Sequence, residues 1–440
     1  MTQEIPPGRV QTLSVDEEFR LKQVWAHLFN FWRVPVKSSK VLSVGKEQKN
    51  LDRTNTTTST ASAETAKPKK KKLLGKFLKS SNPSPPPPAP VHKRTSSVTS
   101  TRSSESIEAA YPHTLIHDSL KDLEADEIRN NFWQMLRADY PDNLILRFLR
   151  ARKWDTDKAM GMIAHTLHWR LKESKVDDII RGGERAAYTN NETGFVKNIE
   201  LSKAVVRGFD KKGHPIVLVR PKLHHSSDQS EDEMKKYCLL VIEEARLFLK
   251  EPVDAATILF DLTGFSMSNM DYAPVKYLIS CFEAHYPECL GKLFIHKAPW
   301  IFPPIWNIIK NWLDPVVASK VVFTKSAKDL AEYIPMEHIP VYLGGDDDRD
   351  LDRVIKLDGS HDKSLSDSDN KDSILKERDV IIQKFIDATV KWIESESPED
   401  SKKFLDIKIS IGKQLSENYC KLDPYIRSRC IYDIDGTLKV

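Results

Sequence analysis

The sequence predicts an α/β protein in which a helical lobe precedes a lobe built on a mainly parallel sheet. Residues 120–185 read as several short helices, with apolar residues at helical spacing. From about residue 195 the pattern changes, and short apolar strands alternate with helical stretches. Strands that alternate with helices favour parallel pairing through helical crossovers, which places the chain in the α/β class.

The first 110 residues are predicted to hold one amphipathic helix and then a basic, disordered linker. Ser14 and Glu17 form a capping box at the start of the helix. Apolar residues follow at helical spacing: Leu21, Val24, Trp25, Leu28 and Trp32. This helix either packs on its own protein or docks a protein partner or a membrane, and the sequence leaves both interpretations open.

The linker after this helix is rich in Lys, Pro, Ser and Thr. Residues 1–110 carry 19 Lys and Arg against 9 Asp and Glu, although the whole chain has a net charge of only +4. Four lysines precede an apolar edge in this linker: Lys69, Lys70, Lys71 and Lys72. Each contributes about 1 kcal/mol near an anionic leaflet, so they predict attraction to anionic membranes. Nuclear localisation and simple solvation are the alternatives. The Ser/Thr stretch at residues 95–106 is a candidate phosphorylation target, and added phosphate would weaken this attraction.

The rest of the chain divides into three predicted parts. A helical lobe covers residues 111–190, an α/β lobe covers 191–350, and a helical extension covers 351–440. Strands are predicted at 215–219, 257–262, 292–296 and 320–323. Helices are predicted between them at 231–250 and 272–286, and two surface helices at 373–394 and 402–419.

Several functional classes find no support in the composition. The five cysteines form no C-x-x-C pair, so neither a disulfide framework nor a zinc site is predicted. His224 and His225 lack further ligands at metal spacing. No apolar run reaches the roughly 18 residues of a membrane span, and the N-terminus lacks a secretory signal. The expectation is a monomeric cytoplasmic protein with no metal, cofactor or nucleic-acid partner.

The segment 300–320 is apolar around much of its helical circumference. Its apolar residues include Phe302, Ile305, Trp306, Ile309, Trp312 and Leu313. Such a helix needs contacts on two sides. It is either a buried core helix or a cover that closes an apolar cavity and also meets a membrane.

Residues 263–268 follow a strand and resemble a nucleophile elbow. Ser268 stands where the strained turn needs a second glycine, so a lipid hydrolase that uses Ser266 is the least favoured class. Charged residues also lie beside apolar segments, namely Arg147, Arg150, Arg152, Lys153, Glu288 and Lys320. From the residues alone, these are either ordinary ion pairs or a binding site.

A series of motifs identifies a family. In order they read L-R-F-L-R-A-R-K-W-D, D-L-T-G-F-S-M-S, H-Y-P-E, H-K-A-P-W, L-D-P-V-V-A-S-K and I-P-V-Y-L-G-G. Over residues 120–350 they resemble the CRAL-TRIO proteins, the Sec-fourteen-like phosphatidylinositol transfer proteins. The resemblance implies a helical lobe packed on an α/β lobe that together enclose one lipid, with residues 302–313 as the gate.

The resemblance also implies roles for particular residues. Arg152, Lys153 and Lys320 would hold the inositol phosphate, with Glu288 nearby. Ser266 and Ser268 would correspond to serines that bind a choline lipid. This chain has Val317 where well-known members have threonine, and Cys289 where they have arginine, so a weaker headgroup site is expected.

The function implied is extraction and transfer of a phospholipid, chiefly phosphatidylinositol, without any covalent step. Phosphatidylcholine or a squalene-like molecule is an alternative ligand. The protein would act on endosome, Golgi or endoplasmic reticulum membranes and support phospholipid homeostasis and trafficking. The competing hypothesis is a lipid-sensing adaptor that presents its lipid to a lipid-modifying enzyme or a trafficking partner.

Overall fold

The computed structural model describes residues 5–37, 41, 118–350, 355 and 357–439. The lysines at 69–72 and the Ser/Thr stretch at 95–106 lie outside these residues, and so does the predicted boundary at 110. By its internal contacts the chain divides into two units, one made of Met1–Val41 with Leu115–Val440 and the other of Leu42–Thr114. Every described residue belongs to the first unit.

Helices dominate the region before the sheet. They are α1 (Val15–Phe31), α2 (Ala125–Met135), α3 (Pro141–Ala151), α4 (Thr156–His168), α5 (Val176–Thr189) and α6 (Thr193–Glu200). The capping box predicted at α1 is present, with Glu17 N donating to Ser14 Oγ and Ser14 N to Glu17 Oε2. A proline at the first position starts α3, where its missing N–H costs no hydrogen bond.

Five strands form one sheet in the order in which they occur along the chain. They are β1 (Ala204–Phe209), β2 (Pro215–Val219), β3 (Ala256–Asp261), β4 (Leu290–His296) and β5 (Val321–Thr324). β1 pairs antiparallel with β2, and the other three pairs are parallel, which confirms the predicted α/β class. The sequence did not predict β1, because Arg207 and Gly208 interrupt its apolar run and its register shifts before Phe209.

Helical crossovers join the parallel strands, as predicted. α7 (Glu231–Leu247) lies between β2 and β3, and α8 (Tyr272–Ala284) lies between β3 and β4. Two shorter helices, α9 (Phe302–Ile309) and α10 (Pro315–Ser319), lie between β4 and β5. A last short helix, α11 (Ala327–Leu330), follows the sheet.

The two faces of the sheet have different cover. Leu259 of β3 and Phe294 of β4 belong to one packed cluster with residues that follow β5, namely Leu330, Ile334, Ile339 and Leu343. Strand side chains alternate between the faces, so Ile258 and Phe260 point to the opposite side. Much of that side lines a cavity, although Val217 and Ile295 also pack against helices.

The C-terminal region contributes α12 (Ser368–Ile393), α13 (Pro398–Leu422) and α14 (Ile431–Ile434). The prediction of two surface helices was only partly right, because Phe385 and Trp392 of α12 are fully buried. Trp25 of α1 packs beside Phe385 with ring centroids 5.4 Å apart. The apolar face of α1 is therefore covered by its own protein, which decides for the first of the two interpretations that the sequence left open.

A buried lysine joins these helices to the helical lobe. Lys408 of α13 has no exposed surface, and its Nζ lies 2.8 Å from Asp142 Oδ1 on α3. The same Nζ lies 3.7 Å from the ring centroid of Trp392. Burial lowers the pKa of Lys408 to about 8, against the opposing effect of Asp142. This site belongs to the packed part of the molecule.

Candidate lipid-binding site

A cavity of about 920 Å³ lies between the second face of the sheet and the helices α7, α8 and α9. This volume is near the top of the range of roughly 300–1,000 Å³ that is usual for ligand pockets. The sheet lines it with Val217, Val219, Ile258, Phe260, Leu293 and Ile295. α7 and α8 add Val241, Ile242, Leu278 and Phe282. The predicted interior chamber is therefore present, and its wall is largely apolar.

The gate segment is shorter as an α-helix than predicted. α9 ends at Ile309, and Lys310–Trp312 form a 3₁₀ turn, so Trp312 and Leu313 lie beyond the α-helix. The cause lies in Asp314, whose side chain accepts a hydrogen bond from Val316 N and starts α10. Pro315 also disfavours a helical conformation in the residue before it.

The packing of α9 decides between the two interpretations left open by the sequence. Phe302 and Ile305 are buried and belong to one cluster with Phe265 of the loop after β3. All six predicted gate residues line the cavity: Phe302, Ile305, Trp306, Ile309, Trp312 and Leu313. On the outer side, Ile308 is 45% exposed, and Trp300 just before the helix is 89% exposed. α9 thus covers the cavity with one face and exposes the other face to solvent, so it is not a core helix.

The predicted headgroup residues all line this cavity, and Arg150, close to Arg152 and Lys153 along the chain, lies within electrostatic reach of Glu288. Arg152, Lys153, Glu288 and Lys320 all line it, although they come from three separate segments of the chain. Lys153 follows α3 in a left-handed conformation with φ of 53°, and Glu288 has φ of 58°. Lys320 Nζ donates a hydrogen bond to Leu290 O at 2.7 Å. An ammonium has three donors, so two of them remain for a ligand.

Comparison with known proteins gives the family. Residues 199–345 match the CRAL/TRIO domain, and residues 115–165 match the CRAL/TRIO N-terminal domain. A protein of Eremothecium gossypii named phosphatidylinositol transfer protein CSR1 is 55% identical over 440 residues, which is 100% of both chains. This chain belongs to the CRAL-TRIO family.

Two CRAL-TRIO domain-containing proteins of Schizosaccharomyces pombe are also similar to this chain. One is 38% identical over 315 residues, which cover 72% of this chain and 70% of the relative. The other is 30% identical over 274 residues, which cover 60% of this chain and 73% of the relative. The resemblance inferred from the motifs is confirmed.

The structure adds a feature at one of the two positions where this CRAL-TRIO protein departs from the expected pattern. Cys289 and Val317 both line the cavity. Behind Cys289 lies the buried side chain of Arg147, whose Nη1 is 3.3 Å from Cys289 Sγ. Arg147 also pairs with Asp139 at 3.2 Å. A guanidinium is therefore still present close to this position, although it comes from α3.

The structure does not bring Ser266 and Ser268 into the cavity. Both are exposed and absent from its lining. Ser266 Oγ lies 2.8 Å from Ser268 Oγ and donates to Asn269 Oδ1 at 2.9 Å. These bonds close a local turn, so the geometry gives neither a choline-lipid role nor the histidine pairing that activates a serine nucleophile.

Some polar residues of the cavity were missed by the sequence reasoning. Lys203 and His224 line it, and His224 Nε2 is 3.1 Å from Asp271 Oδ2. Burial lowers the pKa of Lys203 to about 8, while Asp228 acts in the opposite direction. No local pattern marks these residues, because they come from separate loops that only the fold brings together.

The described part of the chain offers neither a metal-binding cluster nor a candidate membrane span. It contains no group of three or more His, Cys, Asp or Glu side chains placed to hold a metal ion. No helix within it combines the length and the apolar character that crossing a membrane requires.

Proposed function

We propose that this protein extracts a phospholipid, in the first place phosphatidylinositol, from a membrane and transfers it in the cavity closed by α9. The cavity of about 920 Å³ carries this proposal, since it joins an apolar wall to a cationic end. The name of the Eremothecium gossypii relative supports phosphatidylinositol as the ligand.

The apolar wall addresses the main energetic barrier to lipid exchange. Exposing one CH₂ group to water costs about 0.8 kcal/mol, so two acyl chains together cost more than ~20 kcal/mol. The side chains that line the sheet face and α8, among them Phe260 and Phe282, offer the chains an apolar environment instead. The barrier falls because the lipid leaves one apolar medium directly for another.

The cationic end would bind the phosphodiester. Arg152, Lys153 and Lys320 supply charge-assisted donors, which offset the desolvation of the phosphate. Glu288 lies at the same end and can accept hydrogen bonds from the inositol hydroxyls. Buried Arg147 adds positive potential from behind Cys289.

The α9 segment would open at the membrane and close in water. Its inner side chains cover the cavity, while Trp300 and Ile308 already face solvent. Tryptophan is favoured at the interface between lipid and water, so this outer face suits contact with a bilayer. We place this step on internal membranes reached from the cytoplasm, by a monomer that makes and breaks no covalent bond and needs no cofactor beyond its lipid.

The adaptor hypothesis has lost one of its supports. It relied on a free apolar face of the N-terminal helix, and that face is packed against α12. Transfer is therefore the function that the geometry supports best.

The double variant Lys153→Ala/Lys320→Ala tests the headgroup assignment. We expect it to lose phosphatidylinositol transfer between vesicles by tenfold or more while its circular dichroism and melting temperature stay close to the parent's. A matched control, Lys376→Ala/Lys384→Ala, removes two exposed lysines of α12 far along the chain from the cavity. Transfer at the parent rate by the first variant would show that these lysines do not bind the headgroup.

Native mass spectrometry of the purified protein, followed by extraction of the bound lipid, tests the ligand. We expect one phospholipid per chain. A protein that carries only squalene-like molecules would contradict the assignment of phosphatidylinositol.

A further inference from the structure

The N-terminal residues 6–12 lie along α3 and contact its first turn at Asn143 and its last turn at Arg150. We call them the N-terminal strap. Val10 is 1% exposed, and its N–H donates to Asn143 Oδ1 of α3 at 2.9 Å. Arg9 Nε lies 2.5 Å from Asp254 Oδ2. Thr12 Oγ1 donates to Pro6 O at 2.8 Å, which folds the strap into a compact loop.

Gly8 makes the closest approach of the strap to α3. Its oxygen accepts a hydrogen bond from Arg150 Nη1 at 2.6 Å. Its φ is +70°, and a Cβ at this position would lie 3.0 Å from Arg150 Cδ and 3.4 Å from Trp154 Cζ2. This position therefore favours glycine for two reasons: the backbone is left-handed, and a Cβ would lie close to Arg150 and Trp154.

The two residues that Gly8 touches flank the predicted headgroup pair. Arg150 precedes Arg152 and Lys153, and Trp154 follows them. Lys153 and Trp154 both have positive φ, at 53° and 64°. This conformation is disfavoured for residues that carry a side chain, so two of them in succession need support from neighbouring groups. The strap supplies contacts on both sides of this turn.

Arg150 links the strap to the cavity. Its side chain lines the cavity, and its Nη2 lies 3.6 Å from Asp254 Oδ2, the atom that also binds Arg9. Burial, with Arg9, lowers the pKa of Arg150 to about 10, while Asp254 and Glu288 act in the opposite direction. Arg150 thus stays charged at neutral pH, within the electrostatic reach of Glu288 at the headgroup end.

We infer that the N-terminal strap is a positioning element for headgroup recognition: Gly8 and Arg9 hold Arg150 and the turn at Arg152–Lys153 so that the cations face the lipid phosphate. The inference rests on the proposed function and deepens it. Arg9 does not line the cavity and acts through Asp254 and Arg150. The strap therefore affects the binding of a phosphate-bearing headgroup, and not the binding of acyl chains at the apolar wall.

The experiment is a double-mutant cycle on the full chain, with phosphatidylinositol transfer between vesicles as the readout. Arg9→Ala should lower the transfer rate three- to tenfold in the parent. In the Lys153→Ala background it should cause little further loss, because the lysine that the strap positions is already gone. The melting temperatures of the parent, the two single variants and the double variant should instead change additively. A purely structural role would give additive changes in both the transfer rate and the melting temperature.

Two further variants complete the test. Arg9→Lys keeps the charge beside Asp254 and should restore most of the rate, and Gly8→Ala should reproduce the loss if the chain folds. Arg20→Ala is the matched control, since Arg20 pairs with Asp16 on α1 at 3.8 Å and belongs to neither the strap nor the cavity lining. Arg20→Ala should transfer at the parent rate.

Three results would overturn the inference, and they are distinguishable. If Arg9→Ala transfers at the parent rate, the strap plays no positioning role, although the proposed function stands. If it loses the same factor with and without Lys153, the strap acts on general stability only. If the parent protein transfers no phosphatidylinositol, the proposed function fails and this inference fails with it.

Discussion

The two faces of the central sheet are made of the same kinds of side chain, yet one is closely packed and the other borders a cavity. On β3, Leu259 is 2% exposed beneath the segment that follows β5. Its neighbours Ile258 and Phe260 point the other way and line the cavity. Apolar composition therefore does not tell a core from a chamber. The difference lies in what covers each face, a close-packed segment in one case and the helices around the cavity in the other.

Lysine side chains also differ between the packed part of the molecule and the cavity. Lys408 lies in the packed part, fixed by Asp142 and by the ring of Trp392. Lys153 and Lys320 line the cavity instead. A cation in the packed part contributes to one rigid arrangement, whereas we propose that the cations at the cavity bind a ligand. Three experiments test this difference.

The largest expected effect comes from truncating adjacent residues on opposite faces of β3. Leu259→Ala should lower the free energy of unfolding by about 2–5 kcal/mol, because it leaves a void among packed neighbours. Ile258→Ala should cost clearly less, since its side chain already borders a cavity. Urea denaturation of the delipidated proteins measures both. Equal losses would show that the two faces are equally packed.

Enlarging the same two residues should affect stability at one position and lipid binding at the other. Leu259→Trp should destabilise the protein by about 1–3 kcal/mol through overpacking. Ile258→Trp should leave stability nearly unchanged and instead reduce the lipid bound per chain, because the indole takes space in the cavity. Lipid extraction with quantification of phosphate checks this. Undiminished lipid in Ile258→Trp would mean that this face does not border the bound lipid.

The smallest effect concerns pH and Lys408. Its pKa is about 8 in the folded protein and near the ordinary 10.5 when unfolded, so the unfolded chain holds the extra proton between these values. The stability of the parent relative to Lys408→Met should therefore rise as pH increases above 8, by at most ~1.4 kcal/mol per pH unit.

The same comparison with Lys384→Met is the control, since it removes an exposed lysine of α12. Urea denaturation at pH 7, 8 and 9 measures both differences. If the stability of the parent relative to Lys408→Met stays constant or falls as pH rises, Lys408 does not lie in a desolvated site.

Local patterns were enough to predict most elements. Four strands, the crossover helices and the capping box at Ser14 follow from periodicity and spacing within short windows of sequence. The order of family motifs predicted the cavity end to which Arg152, Lys153 and Lys320 contribute. These features depend on interactions between residues that are close along the chain or on a resemblance that covers whole motifs.

Tertiary structure alone decided the rest. The pattern of residues predicts that β3 is apolar on both sides, but it does not show that Ile258 borders a cavity while Leu259 is packed. Nor could it show that Gly8 contacts Arg150, or that the apolar face of α1 is covered by α12. The physical reason is that burial and close approach depend on which distant segments arrive at a surface, and spacing along the chain does not encode that.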